Sequence, residues 1–242
     1  MPAMTDSVSG LSPRCYALVP AAGAGVRSGA EGPKQYVQLA GRAMLAHTLD
    51  ALLQVPGLSA TLVVLAPDDD QFETALPDLQ GQAVWVARCG GATRAQSVAK
   101  GLDQLLASGA QPLDWVLVHD AARCLLRPEW VTDLIEACMD DPVGGLLACP
   151  LPDTLKASQA GRVSATIDRQ QKWAAQTPQM FRLGQLQAAL AQAVSDGIVV
   201  TDEASAIEAQ GQQPLLVEAS LENFKVTWPA DFALAERLLK SR

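Results

Sequence analysis

Short apolar runs alternate along this chain with longer segments of helical periodicity, and that order leaves few folds open. Residues 15–20, 61–66, 84–88, 115–119 and 145–149 read as buried strands. Residues 44–54, 93–107 and 128–139 carry apolar side chains three and four apart and read as helices. Pro128 suits a first helical turn, where its missing N–H costs nothing. This βαβα order predicts an α/β fold: a mostly parallel sheet with helices on both faces. Hydrophobic residues make up 49% of the 242-residue chain and charged residues 18%, enough apolar material for a substantial core.

The alternation breaks after Pro150. Residues 151–172 are polar and interrupted by Gly161, with extended-looking pieces at 153–157 and 162–167. Such a stretch buries little against its own core and predicts a projecting β-arm that a second subunit can clasp; a plain surface loop of that length is uncommon. Beyond it, 183–195 and 202–210 read as helices, the second capped by Thr201 with Asp202 and Glu203 in its first turn. Residues 215–218 and 224–228 read as strands and 229–239 as a closing helix. Residues 1–14 lack the apolar stretch of a signal peptide and read as a disordered leader, leaving 15–242 as one domain with its arm.

The chemistry begins at the first strand. Leu18-Val19-Pro20-Ala21-Ala22-Gly23-Ala24-Gly25-Val26-Arg27 places a glycine-rich turn directly after an apolar run, and Pro33-Lys34-Gln35 adds a second cation. Without a Cβ, backbone N–H groups approach an anion closely, and fixed cations beside them absorb charge during phosphoryl transfer. A nucleoside triphosphate site follows. The run lacks the Gly-Lys-Ser/Thr ending of a Walker A loop. Its Gly23-x-Gly25-x-x-x-Gly29 spacing is one residue too long for a dinucleotide fingerprint, although Asp68 could serve as the ribose-binding acid of that motif. A bare strand-to-helix turn with incidental charges is the plainer alternative.

A formal charge of −8 argues against general nucleic-acid binding and asks that cations be concentrated locally. The cysteines, Cys15, Cys89, Cys124, Cys138 and Cys149, form no C-x-x-C pair and are odd in number, which fits thiols kept reduced in the cytoplasm. No apolar run approaches the ~18 residues of a membrane span. The expectation is a soluble, cytoplasmic protein.

Further polar clusters stand at predicted strand ends. Gly90-Gly91-Ala92-Thr93-Arg94-Ala95-Gln96-Ser97 enters a helix; its backbone and Ser97 could read a base edge, or Thr93 could simply cap the helix. In His119-Asp120-Ala121-Ala122-Arg123, Asp120 could meet a phosphate-bound Mg²⁺ or a substrate hydroxyl, or form a structural pair with Arg123. Asp168-Arg169 sits at the base of the arm, followed by Trp173 and Gln176-Thr177-Pro178-Gln179. Thr201-Asp202-Glu203-Ala204-Ser205 and Asn223-Phe224-Lys225-Val226-Thr227 complete the set, with Lys225 in an apparently apolar strand where a lone ammonium is costly.

In this order the segments resemble the methylerythritol phosphate cytidylyltransferases, of the nucleotidyltransferase superfamily, from Val19 to Leu234. The P-A-A-G-x-G-x-R…P-K-Q loop recurs across nucleotidyltransferases; residues 119–123, 166–169, 201–205 and 224–227 make the resemblance specific. It implies a Rossmann-like fold and transfer of CMP from CTP to 2-C-methyl-D-erythritol 4-phosphate, with Mg²⁺ as cofactor and pyrophosphate released. By the same resemblance, Arg27 and Lys34 bind the triphosphate, and Arg169 and Lys225 position the acceptor phosphate. Ala21, Ala22, Gly23, Gly25, Gly91 and Ser97 surround the nucleotide, and Asp120, Arg123, Thr154 and Thr201 line the acceptor site. The arm of one subunit reaches the other's site, so a homodimer is implied. Ala92 stands where the family often has an acidic residue, and Cys124 where a proline is usual.

Elementary chemistry agrees. A phosphate monoester is largely dianionic at neutral pH, its second pKa being about 6, and needs no general base to attack. It needs relief from repulsion by the triphosphate, which fixed cations and Mg²⁺ provide. Other readings remain open at this level: a cytidylyltransferase for another small polyol phosphate such as ribitol 5-phosphate, a non-catalytic nucleotide-binding module, or an NAD-dependent oxidoreductase.

Overall fold

In β1 (Cys15–Pro20) the side chains alternate between two apolar layers, and the rest of the sheet repeats the device. The structure is a computed structural model describing residues 13–23, 32–79 and 82–242. After β1, a short hairpin of β2 (Gln38–Leu39) and β3 (Arg42–Ala43) leads into α1 (Met44–Leu53). Then follow β4 (Leu58–Val64), α2 (Phe72–Ala75), β5 (Val84–Ala87), α3 (Arg94–Ala107), β6 (Trp115–Val118), α4 (Pro128–Cys138) and β7 (Gly144–Pro150). The second half comprises β8 (Leu155–Gln159), β9 (Arg162–Ile167), β10 (Trp173–Arg182), α5 (Leu183–Ser195), α6 (Glu203–Glu208), β11 (Leu215–Glu218) and α7 (Pro229–Lys240).

The main sheet has the order β11-β7-β10-β6-β1-β4-β5. The pairs β1–β4, β1–β6, β4–β5 and β7–β11 are parallel; β10 alone runs antiparallel, between β6 and β7. Cys15, Ala17, Val19, Trp115 and Leu117 face one layer with Leu49 of α1 and Leu134 of α4. Tyr16, Leu18, Val116 and Val118 face the other with Leu102 of α3, Leu186 of α5 and Ile207 of α6. Helices thus cover both faces, as the alternation predicts. Truncating a fully buried side chain such as Leu18 to alanine costs about 2–5 kcal/mol. A third cluster, with Met44, Cys124, Val226 and Ala235, seats α7 beside the start of α1.

Three readings need correction. Residues 224–228 are not a strand: a single 3-10 turn (Leu221–Asn223) precedes an extended connection that meets its neighbour through one backbone bond, Val226 N–H to Ala122 O at 2.9 Å. The cap of α6 is Asp202, not Thr201; its carboxylate accepts the Ser205 N–H, and the Ser205 hydroxyl oxygen accepts the Asp202 N–H in return. The long strand β10 falls in a stretch read only as a polar cluster. The arm is a two-stranded hairpin, β8 with β9, every residue of β9 exposed. Of the leader, residues 1–12 lie outside the described residues; Arg14 is tied to the start of β6 by its N–H and guanidinium on Asp114.

Candidate active site

The carboxyl ends of β1, β4 and β6 share one edge of the sheet, where ligands meet sheets of this kind. Two connections converge over it. The segment leaving β1 packs so tightly on the turn after β5 that a Cβ at Gly90 would stand 2.2 Å from Ala22 Cβ and 2.8 Å from Leu65 O. Only glycine fits. The Gly91 N–H donates to Ser97 Oγ at 3.0 Å, and the Ala92 N–H to Gln96 Oε1 at 2.9 Å. The Ser97 hydroxyl then donates to Thr93 O, and Thr93 caps α3. The backbone donors that the sequence offers to a base are therefore used to hold the turn, and Ser97 organises it from a buried position.

Gly25 and Arg27 lie outside the described residues. Lys34 follows in a 3-10 turn (Lys34–Tyr36), and its ammonium donates to Val226 O at 2.9 Å, beside Lys225. Gln35 holds this segment against the first loop by donating to Ala21 O at 2.8 Å.

At the end of β6, Asp120 is the centre of charge. Its Oδ1 is 2.7 Å from Arg94 Nε, its Oδ2 is 2.7 Å from Lys225 Nζ, and Arg123 Nε stands 3.9 Å away. Burial works against ionisation of Asp120, but Arg94 and Lys225 overcome it and hold the carboxyl well below the usual carboxylate range. Arg94 in turn closes a two-point pair on buried Glu203, at 2.6 and 3.0 Å. Lys225 is thus not the lone strand ammonium of the sequence reading. Arg123 is committed elsewhere: its Nη groups donate to Asn223 O and Ala175 O.

His119 lies under this cluster and is fully buried. Its Nε2 is 3.2 Å from Arg123 O, an acceptor only, so the proton sits on Nε2. Nδ1 then accepts the Thr177 hydroxyl at 3.1 Å, while Thr177 Oγ1 accepts the Asp120 N–H at 3.0 Å. Burial pushes His119 down to about 4, against the pull of Asp120. It is neutral at pH 7, and both ring nitrogens are occupied. Thr177 reaches this position because β10 bulges against β7 between Ala175 and Gln179.

Two adjoining clefts result. One, of about 460 Å³, is lined by Ala21, Ala22, Gly23, Lys34, Gly91 and Ser97, together with Asp120 and Lys225. The other, of about 200 Å³, lies between Arg123, Thr177, Gln179 and Thr201. Arg94, Asp120 and Lys225 form the wall common to both. A roomier groove of about 850 Å³ between α3 and α5 has an apolar wall including Leu190 and Val199, and shares only its polar end with them. Thr154 and Arg169 line neither cleft; both are exposed on the arm, where Arg169 donates to Pro152 O. Arg94 and Glu203 were missed as individual residues. A cation at the first position of a helix opposes the macrodipole, and that misplacement was the available signal for Arg94.

A family model described as "IspD: 2-C-methyl-D-erythritol 4-phosphate cytidylyltransferase" matches residues 15–241. The bifunctional enzyme IspD/IspF of Albidiferax ferrireducens is 58% identical over 234 residues, 97% of this chain and 55% of that protein, so the chain spans about half of that relative. A 2-C-methyl-D-erythritol 4-phosphate cytidylyltransferase of Burkholderia cenocepacia is 52% identical over 231 residues, 95% of this chain and 97% of the relative. A crystal structure of 4-diphosphocytidyl-2C-methyl-D-erythritol synthase superposes with a TM-score of 0.83 at 40% identity, covering 95% of this chain and 100% of that one.

Proposed function

The chain belongs to the 2-C-methyl-D-erythritol 4-phosphate cytidylyltransferase family, and from that premise we propose that it transfers CMP from CTP to 2-C-methyl-D-erythritol 4-phosphate, releasing pyrophosphate. The observation that carries the reading is the common wall: Lys225 and Asp120 stand between a larger cleft beside Lys34 and a smaller polar one. The larger takes CTP, with its base near Ala21, Ala22, Gly91 and Ser97, Gly23 and Gly25 of the glycine turn also against the nucleotide, and its triphosphate at Lys34 and Arg27. The smaller takes the acceptor, whose phosphate meets Lys225.

An acceptor phosphate oxygen attacks the α-phosphorus of CTP in line; that P–O bond forms as the bond to the β-phosphate bridging oxygen breaks, and pyrophosphate leaves with the electron pair. The dianionic phosphate needs no base. Nor do the described residues of the site offer a free one: Asp120 has both oxygens in ion pairs, Asp202 accepts from the Ser205 N–H and Gln179 Nε2, His119 has both nitrogens bonded, and His47 lies in a different groove. What the residues do is hold cations where charge gathers.

Among the described residues no cluster of three or more His, Cys, Asp or Glu could cage a metal. Mg²⁺ in this reading arrives with the triphosphate as part of the substrate, as that ion usually does. The arm supports a homodimer: its two strands pair only with each other, and a lone two-stranded hairpin is marginal in water. Thr154 and Arg169 then serve the partner's acceptor site. No helix of the described residues is long and apolar enough to cross a membrane. The described thiols are all free, and burial pushes Cys15, Cys124 and Cys138 well up, which fits a reducing cytoplasm.

Phosphorus NMR of the products tests the reaction. Incubation with CTP, Mg²⁺ and methylerythritol 4-phosphate gives a new diphosphate diester; a diester formed with ribitol 5-phosphate but not with methylerythritol 4-phosphate would move the substrate to another polyol, and none from either would refute the transfer.

A further inference from the structure

Arg94 and Glu203 are not among the groups assigned to either substrate, yet they anchor the charge cluster between the clefts. Arg94 is the first residue of α3, Glu203 the first of α6, and Asp120 follows β6, so one guanidinium joins three elements. The Glu203 carboxylate is 1% exposed and that of Asp120 9%. The donors of a guanidinium lie in one rigid plane. With both Nη groups locked on Glu203, Nε can point in only one direction, and there it meets Asp120 Oδ1. With Oδ1 held by Arg94, the carboxylate turns Oδ2 to Lys225, 2.7 Å away.

We infer that Glu203 and Arg94 are positioning residues for the acceptor phosphate, acting through Asp120 on Lys225. The inference rests on the assignment of Lys225 to that phosphate. Glu203 has a second effect. Three cations (Arg94, Arg123, Lys225) against two carboxylates (Asp120, Glu203) leave the cluster at +1. Without the Glu203 charge the cluster becomes +2 and the fork of Arg94 opens, ready to take a phosphate bidentately away from Lys225. Glu203 therefore withholds Arg94 from the substrate and leaves Lys225 as the cation the acceptor finds.

The test compares full-length wild type with Arg94→Lys, Glu203→Gln and the double variant. Pyrophosphate release gives kcat and KM for each substrate, and thermal unfolding confirms the fold. Lysine keeps the charge but lacks the fork; glutamine keeps the volume of Glu203 and guards against a failure of the first variant to fold. Each single change lowers kcat/KM for the acceptor by about 10- to 100-fold, the scale of a displacement near 1 Å, and leaves KM for CTP within about twofold. The double variant is no worse than the worse single one, because the residues act as a unit. A matching rise in KM for CTP, additive losses, or unchanged acceptor kinetics in folded variants would overturn the inference. Failure of wild type itself to release pyrophosphate with methylerythritol 4-phosphate would instead overturn the assignment of function.

Discussion

His119→Gln removes a pH dependence whose size follows from the burial of one ring. In the folded chain His119 is pushed down to about 4 from the ordinary histidine value of about 6.5, chiefly because no water reaches it. Between those values the unfolded chain holds the proton and the folded chain does not. Unfolding therefore takes up a proton as pH falls, and stability declines with acid. The gap between those two values, at ~1.4 kcal/mol per tenfold in proton affinity, amounts to about 3–4 kcal/mol, fully present above pH ~6.5 and lost by pH ~4. Urea unfolding of wild type and variant at about pH 7.5 and about pH 4.5 isolates the effect, since other titrations are common to both. Glutamine can still donate to Arg123 O or accept from Thr177, so the variant folds with a modest loss at neutral pH. The expected result is a pH difference in unfolding free energy about 2–3 kcal/mol smaller in His119→Gln than in wild type. Equal pH differences in the two proteins would refute the argument that this ring is held neutral beneath Asp120.

Lys34→Ala should lower kcat by a factor of about 10² to 10³ in a protein that melts normally, the cost of one preorganised donor; near-wild-type turnover would remove Lys34 from the triphosphate. Lys225→Ala should raise KM for the acceptor by about tenfold or more while KM for CTP stays level, since only the acceptor loses a cation. A fall in CTP affinity would redraw the division between the clefts. Replacing Leu155–Ile167 with a short glycine-serine turn should convert a dimer to a monomer in sedimentation velocity and abolish turnover. A fully active monomer would refute the role of the arm.

How much of this was legible depended on whether local pattern or distant contact decides a residue's fate. β1 was read to the residue, because Cys15–Pro20 is apolar on both faces and lies centrally in the sheet. Helix α5 was read equally well. β10 was not: Gln176, Thr177, Pro178 and Gln179 carry the polarity of a loop, and their burial depends on Asn223, Asp202 and Asp120 far away in sequence. Phe224–Thr227 alternates like a strand, but the third apolar cluster takes Phe224 and Val226 while Lys225 turns to Asp120, so the alternation serves packing without a sheet. Local competition placed the cap at Asp202, whose carboxylate captures the Ser205 N–H, although Thr201 stands one residue before it. The glycine motif, Lys34, Asp120 and Lys225 were all visible as chemistry. Their convergence, and the use of Arg94 and Glu203 to fix them, needed the fold.

The most direct test of the account is acceptor-dependent pyrophosphate release with CTP and Mg²⁺. One pyrophosphate is expected for each methylerythritol 4-phosphate consumed, with little release on ribitol 5-phosphate and none without an acceptor. Release from CTP that is indifferent to the acceptor, or absent with every acceptor in folded protein, would contradict it.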